Sequence, residues 1–299
     1  MHSRFADRIL LLAVALVWGL NWVSVKVALQ GFSIWTFRTM SFGGGALVLM
    51  LAARSIGASL RVDKAVDRLH LAVAGLFSTA GFGVLTALAM LNTSTGRTAI
   101  CAYTMPIWTT LLGRIVLEER LSALRIASLL LGSAGLLVLL WPLLATGIPI
   151  GAIAAIGSAI SWAMGTVYQK WAGVTAHPLA IAVWQLVAGA LAAAIGIPFA
   201  GIGSWTGVGA IPIAGLVYTT VCGTAVAYLL WFQIVQRLPA STAGLGTLLV
   251  PVVGVVASIV LLGERPTYAD LVGFVLIFIA ALVALRPNPR AIDARKQPA

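Results

Sequence analysis

A proline followed thirteen residues later by a glutamate and then an arginine occurs twice in this sequence. Pro106 precedes Glu119 and Pro251 precedes Glu264, so the two copies lie 145 residues apart. An almost purely apolar run separates each proline from its charges, which places the charges at a helix end on a membrane surface and the proline near mid-span. Proline inside a helix kinks it, and a membrane tolerates this mainly beside a protein-lined cavity. Two such helices in register predict a duplicated fold of the kind found in transporters.

The composition agrees with a chain that crosses a membrane many times. Of the 299 residues, 61% are hydrophobic and 9% are charged, and the mean hydropathy is +1.04. This balance is typical of a polytopic all-α membrane protein. The first apolar run extends from Ile9 to about Ala28, and too few apolar residues precede Ala13 for a cleaved signal peptide. We therefore interpret this run as an uncleaved first helix.

Successive apolar segments of about 20 residues predict ten transmembrane helices. The charged residues at 118–120 divide the long apolar stretch 95–141 into two helices, because charges are costly at mid-bilayer. The predicted helices cover residues 9–28, 32–53, 69–91, 95–117, 121–141, 149–170, 178–200, 208–235, 240–262 and 267–285.

The basic residues predict how these helices are oriented. With the amino terminus in the cytoplasm, 15 of the 19 lysines and arginines fall on cytoplasmic segments. The exceptions are Lys26, Arg38, Arg97 and Arg265. Ten helices return the carboxyl terminus to the cytoplasm. This loop bias explains the net charge of +11, so we expect a lipid bilayer as the partner and no nucleic acid.

A second pair of matching segments extends the repeat to the first helix of each half. Trp18–Lys26 reads WGLNWVSVK and Trp162–Lys170 reads WAMGTVYQK, 144 residues further on. The predicted halves are residues 1–145, with helices 1–5, and residues 146–299, with helices 6–10 and a short basic tail. Because five is an odd number, the second half crosses the membrane in the opposite sense. Such inverted repeats suit alternating access around a site at the midplane.

The sequence has no pattern that supports catalysis or metal binding. Cys101 and Cys222 fall inside predicted spans, where cysteine most often fills space as a small apolar residue. There is no metal-ligand spacing, no pair of carboxylates and no nucleophile with a base. We therefore expect no metal, no cofactor and no catalytic residue. An intramembrane enzyme or a lipid-binding structural protein is disfavoured for the same reason.

Three segments of the chain resemble a known transporter family. They are VWGLNWVSVKVAL in helix 1, the TMP…LEERL run of helices 4 and 5, and LLVPVVGVVASIVLLGERPTYADLVG in helices 9 and 10. They make the chain similar, over nearly its whole length, to the EamA family of the drug/metabolite transporter superfamily. The resemblance implies ten helices, both termini in the cytoplasm, a bacterial inner-membrane location and export of small metabolites such as amino acids. The YddG-type bacterial amino-acid exporters are the most informative subgroup, although the resemblance to them does not fix the substrate.

Aromatic and polar residues at the middle depth of several helices predict a substrate site. The candidates are Trp18, Asn21, Tyr103, Trp162 and Tyr218, at a depth where tryptophan and tyrosine have no interfacial role. Trp18 and Asn21 also share one helix face, and such a mixture of aromatic surface and hydrogen-bonding groups suits a partly polar ligand. Core packing by the tryptophans and an interhelical hydrogen bond from Asn21 are the alternatives.

Arg38 and the two prolines complete the predicted site. Arg38 lies six residues into the second predicted helix, deeper than Lys26, and either faces the substrate or reaches back to the membrane surface. We expect kinks at Pro106 and Pro251 to let helices 4 and 9 bend during gating.

The acidic residues bear on the transport mechanism. All eight lie in predicted tails, loops or helix ends, and none lies at mid-span. The small multidrug transporters, shorter relatives in the superfamily, carry a central glutamate in the first helix, where this sequence has Trp18 and Asn21. Both observations favour a facilitative exporter of small neutral metabolites, above all amino acids including aromatic and apolar ones, over a proton-coupled antiporter. The sequence leaves both a monomer and a homodimer open.

A carrier of organophosphates or nucleotide sugars is the alternative within transport. Phosphate groups require several cations in the cavity, because each brings strong negative charge and several hydrogen-bond acceptors. Only Arg38 and Lys26 are available for this role. The charge pattern therefore favours a neutral substrate.

Overall fold

A computed structural model describes residues 2–118, 123–144, 149–200, 207–231 and 249–284, and every regular element in these ranges is a helix. We number the helices in chain order. Their bounds are α1 His2–Ala28, α2 Ile34–Ser55, α3 Ala65–Asn92, α4 Thr95–Val116, α5 Ala123–Leu144, α6 Ile150–Ala172, α7 Pro178–Ile195, α8 Ala210–Trp231, α9 Leu249–Leu262 and α10 Tyr268–Ala284. A one-turn helix, Ile197–Ala200, follows α7.

Seven of the described helices are long and apolar enough to cross a membrane, and α5, α9 and α10 contain shorter apolar stretches. The prediction of an all-helical membrane protein is therefore confirmed. The chain also divides between Val116 and Ala123, as the charges at 118–120 predicted. Residues 240–248, the first part of the ninth predicted helix, lie outside the described residues.

Side-chain caps fix the points at which several helices begin. Ser33 precedes α2, Ser94 precedes α4 and His177 precedes α7, and each accepts a hydrogen bond from a backbone amide in the first turn. These amides have no partner inside their own helix. Each such cap stabilises a helix by about 1 kcal/mol, so the caps set where the chain enters its apolar spans.

Two helices contain a π-helical segment at corresponding positions. Leu76–Gly81 interrupts α3 and Thr219–Val226 interrupts α8, and the two segments begin 143 and end 145 residues apart. A π segment widens the helical turn and is frequent at functional sites. The hydroxyl groups of Ser78 and Thr224 each donate to a backbone carbonyl of the preceding turn at 2.8 Å. These hydroxyl groups add hydrogen bonds to carbonyl groups beside the π segments.

Polar contacts close one end of the bundle, which we call the sealed end. Here α1 and α3 end and α4 begins, and the Lys26 ammonium donates to the Met90 carbonyl. Glu264 follows α9, and its carboxylate accepts hydrogen bonds from the amides of Thr95 and Gly96 at 2.6 and 2.9 Å. The carboxylate thereby caps the positive end of α4, a placement favoured by the helix dipole.

An ion pair joins α4 to α10 beside this cap. Arg97 donates through Nε and Nη2 to the two carboxylate oxygens of Asp270, at 2.7 and 2.8 Å. The two side chains are only 17% and 5% exposed. Asp270 also accepts hydrogen bonds from the amide and the hydroxyl of Thr267, which form a capping box at the start of α10. The sequence analysis did not predict that Arg97 and Asp270 meet.

Contacts at the sealed end show how the helices run relative to one another. α1 ends there, whereas α6 begins there, because Gly151 packs against Asn92 and Thr93 at the end of α3. α3 ends there, whereas α8 begins there, because Pro212 packs against Gly31 after α1. α1 and α6 therefore run in opposite directions, and so do α3 and α8.

The most extensive helix contacts form a symmetric set. α1 packs on α8 and α9, while α6 packs on α3 and α4. α3 packs on α7, and α2 packs on α8. The pairs α2 with α7, α4 with α9 and α5 with α10 complete the set. Exchanging α1–α5 with α6–α10 converts this set of pairs into itself.

We expect Asp270→Asn to lower the melting temperature of the purified protein, because the variant leaves the Arg97 guanidinium buried without its counter-charge. Removing one partner of a buried pair costs about 3–5 kcal/mol. Asp63→Asn is the matched control, since Asp63 pairs with Arg61 at 2.6 Å but the two side chains are 75% and 84% exposed. Exposed pairs contribute only about 0–1 kcal/mol. Thermal unfolding in detergent, followed by circular dichroism, measures both variants, and equal shifts would contradict the structural role.

Candidate functional site

A cavity of about 590 Å³ lies among α1, α2, α3, α4, α6, α7, α8 and α9. Its aromatic lining residues are Trp18, Trp22, Phe42, Phe82, Tyr103, Trp162, Tyr228 and Trp231. Its polar lining residues are Asn21, Arg38, Ser78, Thr79, Thr166, Gln169, Gln185, Thr219 and Thr224. A volume of this size and a lining that mixes aromatic surface with a few polar groups are typical of small-molecule sites.

The cavity extends from the middle of the bundle toward the end opposite the sealed end. Its lining reaches Gln169 in the last turn of α6, Pro178 at the start of α7 and Trp231 at the end of the described part of α8. None of the described lining residues lies in the turns that join α1 to α2 or α3 to α4. We call the end near Gln169 and Pro178 the cavity end.

Three aromatic pairs form much of the cavity wall. The ring centroids are 5.8 Å apart for Trp18 and Trp231, 6.2 Å apart for Trp22 and Tyr103, and 5.1 Å apart for Phe82 and Trp162. These distances lie within the range of about 4.5–7 Å that favours tilted and edge-to-face aromatic contacts. The Trp18 indole also donates to the Gly223 carbonyl at 3.2 Å. The rings are thus held in place by neighbours and present apolar and π surface to the cavity.

A chain of neutral polar groups forms another part of the wall. The Ser78 hydroxyl shares its single proton between the Ala74 carbonyl at 2.8 Å and Gln185 Oε1 at 3.0 Å, and Gln185 Nε2 donates to Gln169 Oε1 at 2.7 Å. The chain links α3, α7 and α6, and Ser78 belongs to the π segment of α3. Gln185 is only 8% exposed, so this link replaces the water that a buried amide would otherwise need.

Asn21 contributes to the cavity lining an amide whose oxygen has no hydrogen-bond partner among the described residues. Its Oδ1 is buried and accepts no hydrogen bond within the described part of the chain. The amide packs directly on Gly223 of α8, where an added Cβ atom would lie 2.2 Å from Oδ1. Only glycine allows this approach. An unpaired buried polar group costs about 1–3 kcal/mol, so Asn21 is a strong candidate for contact with a ligand or a water molecule.

Arg38 is the charged member of the described lining. Its side chain is 5% exposed, and Nε donates to the Gly83 carbonyl at 2.8 Å. The guanidinium carbon lies 4.8 Å from the Phe37 ring centroid and 5.5 Å from that of Phe42, within reach of cation–π attraction. The side chain is therefore held inside the protein and does not extend to the membrane surface.

The structure brings most of the predicted binding residues to one cavity. Those that line it are Trp18, Asn21, Arg38, Tyr103 and Trp162. Tyr218 is not part of this lining, because its hydroxyl donates to the Val17 carbonyl at 3.2 Å and ties α8 to α1. Thr219, the next residue, lines the cavity instead. Their roles in binding remain predictions.

The sequence analysis missed the polar residues that α3 and α7 contribute. Ser78 and Thr79 line the cavity because the π segment of α3 turns them toward it, and no sequence signal marks a π segment. Gln185 could have been noticed. An amide in the middle of an apolar helix needs a partner, and it therefore marks either a helix contact or a site.

The structure interrupts α4 just before Pro106, where a kink was predicted: the helix stops at Ala102 and starts again at Met105. A turn at Tyr103 and Thr104 separates the helix Thr95–Ala102 from the helix Met105–Val116, in which Pro106 is the second residue. Proline lacks an N–H and its ring collides with the carbonyl four residues earlier, so it ends one helix and suits the first turn of the next.

The described residues do not show whether the backbone is interrupted before Pro251. Pro251 lies near the start of the described part of α9, and residues 240–248 before it fall outside the described residues. Neither proline belongs to the described cavity lining. Their role in gating remains a prediction.

Long apolar helices around a central cavity of aromatic and polar side chains define a membrane transporter. The sequence pattern of the EamA-like transporter family matches residues 8–141 and again residues 149–286. The chain therefore belongs to the EamA-like transporter family and is a transporter, not an enzyme. The resemblance drawn from three sequence segments is confirmed.

Related proteins share nearly the full length of the chain. The uncharacterized transporter YvbV of Bacillus subtilis (strain 168) is 29% identical over 276 residues, which cover 90% of this chain and 88% of the relative. A probable amino-acid metabolite efflux pump of Escherichia coli (strain K12) is 28% identical over 286 residues, covering 91% and 92%. A solved crystal structure superposes with a TM-score of 0.66 at 21% identity, covering 98% of this chain and 99% of that chain, which supports the fold alone.

We expect Trp18→Ala and Tyr103→Ala each to reduce transport by about tenfold or more, because each removes aromatic surface from the cavity. Their melting temperatures should stay close to wild type. A packed core aromatic would instead cost about 3–5 kcal/mol on truncation. Trp141→Ala is the matched control, since Trp141 is 77% exposed on α5. Uptake into proteoliposomes and thermal unfolding measure the two effects, and normal transport by both cavity variants would contradict a role in binding.

Proposed function

We propose that this chain is a facilitative exporter of small neutral metabolites, above all amino acids including aromatic and apolar ones, in a bacterial inner membrane. The observation that carries the proposal is the cavity, which joins aromatic surfaces and neutral amides to one buried arginine and extends toward one end of the bundle. The relatives from Escherichia coli and Salmonella typhimurium are named as probable amino-acid metabolite efflux pumps. Their names support the same substrate class for this chain.

The mechanism that we propose is alternating access. At the sealed end, contacts from Lys26, Glu264 and Asp270 join the helices, while at the other end the cavity lining reaches Gln169 and Pro178. A molecule can then reach the cavity from one side only. Release on the other side requires the sealed-end contacts to break and an equivalent closure to form at the cavity end.

An inverted repeat would supply the two equivalent closures. We divide the chain into residues 1–145 and 146–299. The opposite directions of α1 and α6, the exchangeable set of helix pairs and the double match of the family pattern support this division. Two similar halves of opposite orientation can rock about an axis through the cavity. One state then opens to one side of the membrane and the other state to the opposite side, and an approximate two-fold rotation relates the two.

Irregular backbone beside the cavity would allow this movement. The turn at Tyr103 and Thr104 separates the two parts of α4, and the π segments Leu76–Gly81 and Thr219–Val226 lie in α3 and α8. Such irregular backbone is tolerated at membrane depth only where protein or a cavity surrounds it. We propose that these points, together with Pro106 and Pro251, act as hinges during gating.

The charges of the described lining argue for facilitated movement. None of the described lining residues is acidic, so no carboxylate in this part of the chain can carry a proton through the cavity. Arg38 alone cannot balance a phosphate dianion, and Lys26 already donates to the Met90 carbonyl at the sealed end. The arrangement therefore favours neutral substrates over organophosphates and nucleotide sugars.

We expect proteoliposomes that contain this protein to exchange radiolabelled amino acids in a counterflow assay without a proton gradient. The physical reason is the absence of an acidic group from the described lining, so movement follows the substrate gradient alone. The assay uses equal pH on both sides and an uncoupler, with protein-free liposomes as the control. Loss of counterflow on adding the uncoupler would contradict facilitated movement, and no counterflow for any amino acid would contradict the substrate class.

We also expect the regions around Glu119 and Glu264 to face opposite sides of the membrane, because the proposed halves are inverted. Arg120→Cys and Arg265→Cys, each in a Cys101→Ala and Cys222→Ala background, report on the two regions. An impermeant thiol reagent added to intact cells should label the cysteine at position 265 and leave that at position 120 unlabelled until the membrane is permeabilised. Equal labelling of both positions from outside would rule out the inverted repeat.

A further inference from the structure

We propose that the cavity recognises a carboxylate group through Arg38 and does not require the ammonium group of an amino acid. This inference rests on the proposed function as a small-metabolite exporter and extends its substrates from neutral amino acids to singly charged carboxylates. The preferred ligand is then a monocarboxylate with a bulky apolar or aromatic part. Amino acids bind as members of this class, and amines that lack the carboxylate are excluded.

The first argument is the state of the Arg38 guanidinium. Its Nε donates to the Gly83 carbonyl, and within the described residues Arg38 forms no ion pair. The remaining N–H groups of the planar fork are thus available at the cavity wall. A carboxylate is the group that such a fork binds best, because two parallel hydrogen bonds form along one edge.

The second argument is the charge balance of the site. Arg38 is the one charged residue among the described lining, and a buried charge without a counter-charge is costly. A monoanion neutralises the site completely. A dianion leaves one negative charge unpaired, and an organic cation adds a second positive charge. A zwitterion pairs its carboxylate but brings an ammonium for which the described lining offers no carboxylate partner.

The third argument is the unpartnered amide of Asn21. Its Oδ1 packs on Gly223 with almost no accessible surface and accepts no hydrogen bond in the described residues, so it becomes an acceptor for a ligand once the side chain moves off Gly223. An ammonium group can donate this hydrogen bond, but a hydroxyl group can do so equally well, and the amide nitrogen can donate to an oxo group. Asn21 can therefore form a hydrogen bond with an ammonium group, but binding does not require the ligand to have one.

The apolar part of the ligand has its own surface. Trp18, Trp22 and Tyr103 lie on α1 and α4, and Phe82 meets Trp162 edge to face at 5.1 Å. These rings contact a flat or branched hydrocarbon group over a large area. They also attract an ammonium only through their π faces, a weaker interaction than the one that the guanidinium makes with a carboxylate.

Three probes that share one phenylethyl skeleton test the proposal on the purified wild-type protein. 3-Phenylpropionate carries only the carboxylate, L-phenylalanine carries both charged groups and 2-phenylethylamine carries only the ammonium. Quenching of tryptophan fluorescence gives their dissociation constants. We expect 3-phenylpropionate to bind at least as tightly as L-phenylalanine, and 2-phenylethylamine to bind about tenfold or more weakly.

Variants of Arg38 connect the preference to the guanidinium. Arg38→Gln should reduce the affinity for 3-phenylpropionate by about tenfold or more and leave that for 2-phenylethylamine unchanged or higher. Arg38→Lys keeps the charge but loses the planar fork, so it should restore only part of the affinity. Thermal unfolding checks that each variant is folded. If a variant does not fold, the wild-type comparison of the three probes still decides the matter.

Each outcome separates this inference from the proposed function. Equal binding of the amine and the two acids would overturn carboxylate recognition. If L-phenylalanine bound tenfold more tightly than 3-phenylpropionate, the ammonium group would be required. That result would overturn the inference that the carboxylate alone is sufficient. If no probe binds while the liposomes still exchange an amino acid, the inference of monocarboxylate recognition is overturned but the exporter function stands. If the liposomes exchange no small metabolite at all, the proposed function itself fails.

Discussion

Every backbone N–H and C=O group in the hydrocarbon core needs a hydrogen-bond partner, because no water is present there to replace one. This constraint explains why the described chain is helical and why departures from regular helix are confined to α3, α4 and α8 within its spans. In each case a side-chain hydroxyl, from Ser78, Thr104 or Thr224, donates to a carbonyl of the preceding turn. All three departures border the cavity, so the protein gives up regular backbone only where it needs a shaped and movable wall.

Charged groups and neutral groups serve different ends of the molecule. Lys26, Glu264, Arg97 and Asp270 each find a partner at the sealed end, where two helices or a helix and a loop meet. When such an end opens, these groups lose their partners but gain hydration, which offsets much of the loss. Contacts between charged groups are thus suited to a sealed end that must stay closed in one state and open in the other. The cavity relies on aromatic rings, amides and hydroxyls, with Arg38 as the charged member of the described lining.

The sequence predicted which helices contribute to the cavity better than which side of each helix faces it. The lengths of the apolar segments identified the spans. The unusual predicted mid-membrane position of Trp18, Asn21, Tyr103 and Trp162 identified four side chains that line one cavity. Tyr218 shares that depth but points to Val17, because depth does not specify which side of a helix faces the cavity. The π segments that orient Ser78 and Thr219 leave no pattern in the residues themselves. The pair of Arg97 with Asp270, 173 positions apart, depends on how α4 and α10 pack and is visible only in the fold.

The two proposed halves do not present the same surface to the cavity. Trp18 has Trp162 as its counterpart 144 positions later, whereas Arg38 has Ala182 and Asn21 has Gly165. Ala182 also lines the cavity, so corresponding positions offer a guanidinium on one side and a methyl group on the other. A molecule with one polar and one hydrocarbon end then has a single favourable orientation. Under the proposed alternating access, such a substrate would keep one orientation while it crosses the membrane, with the same end first in every transport cycle.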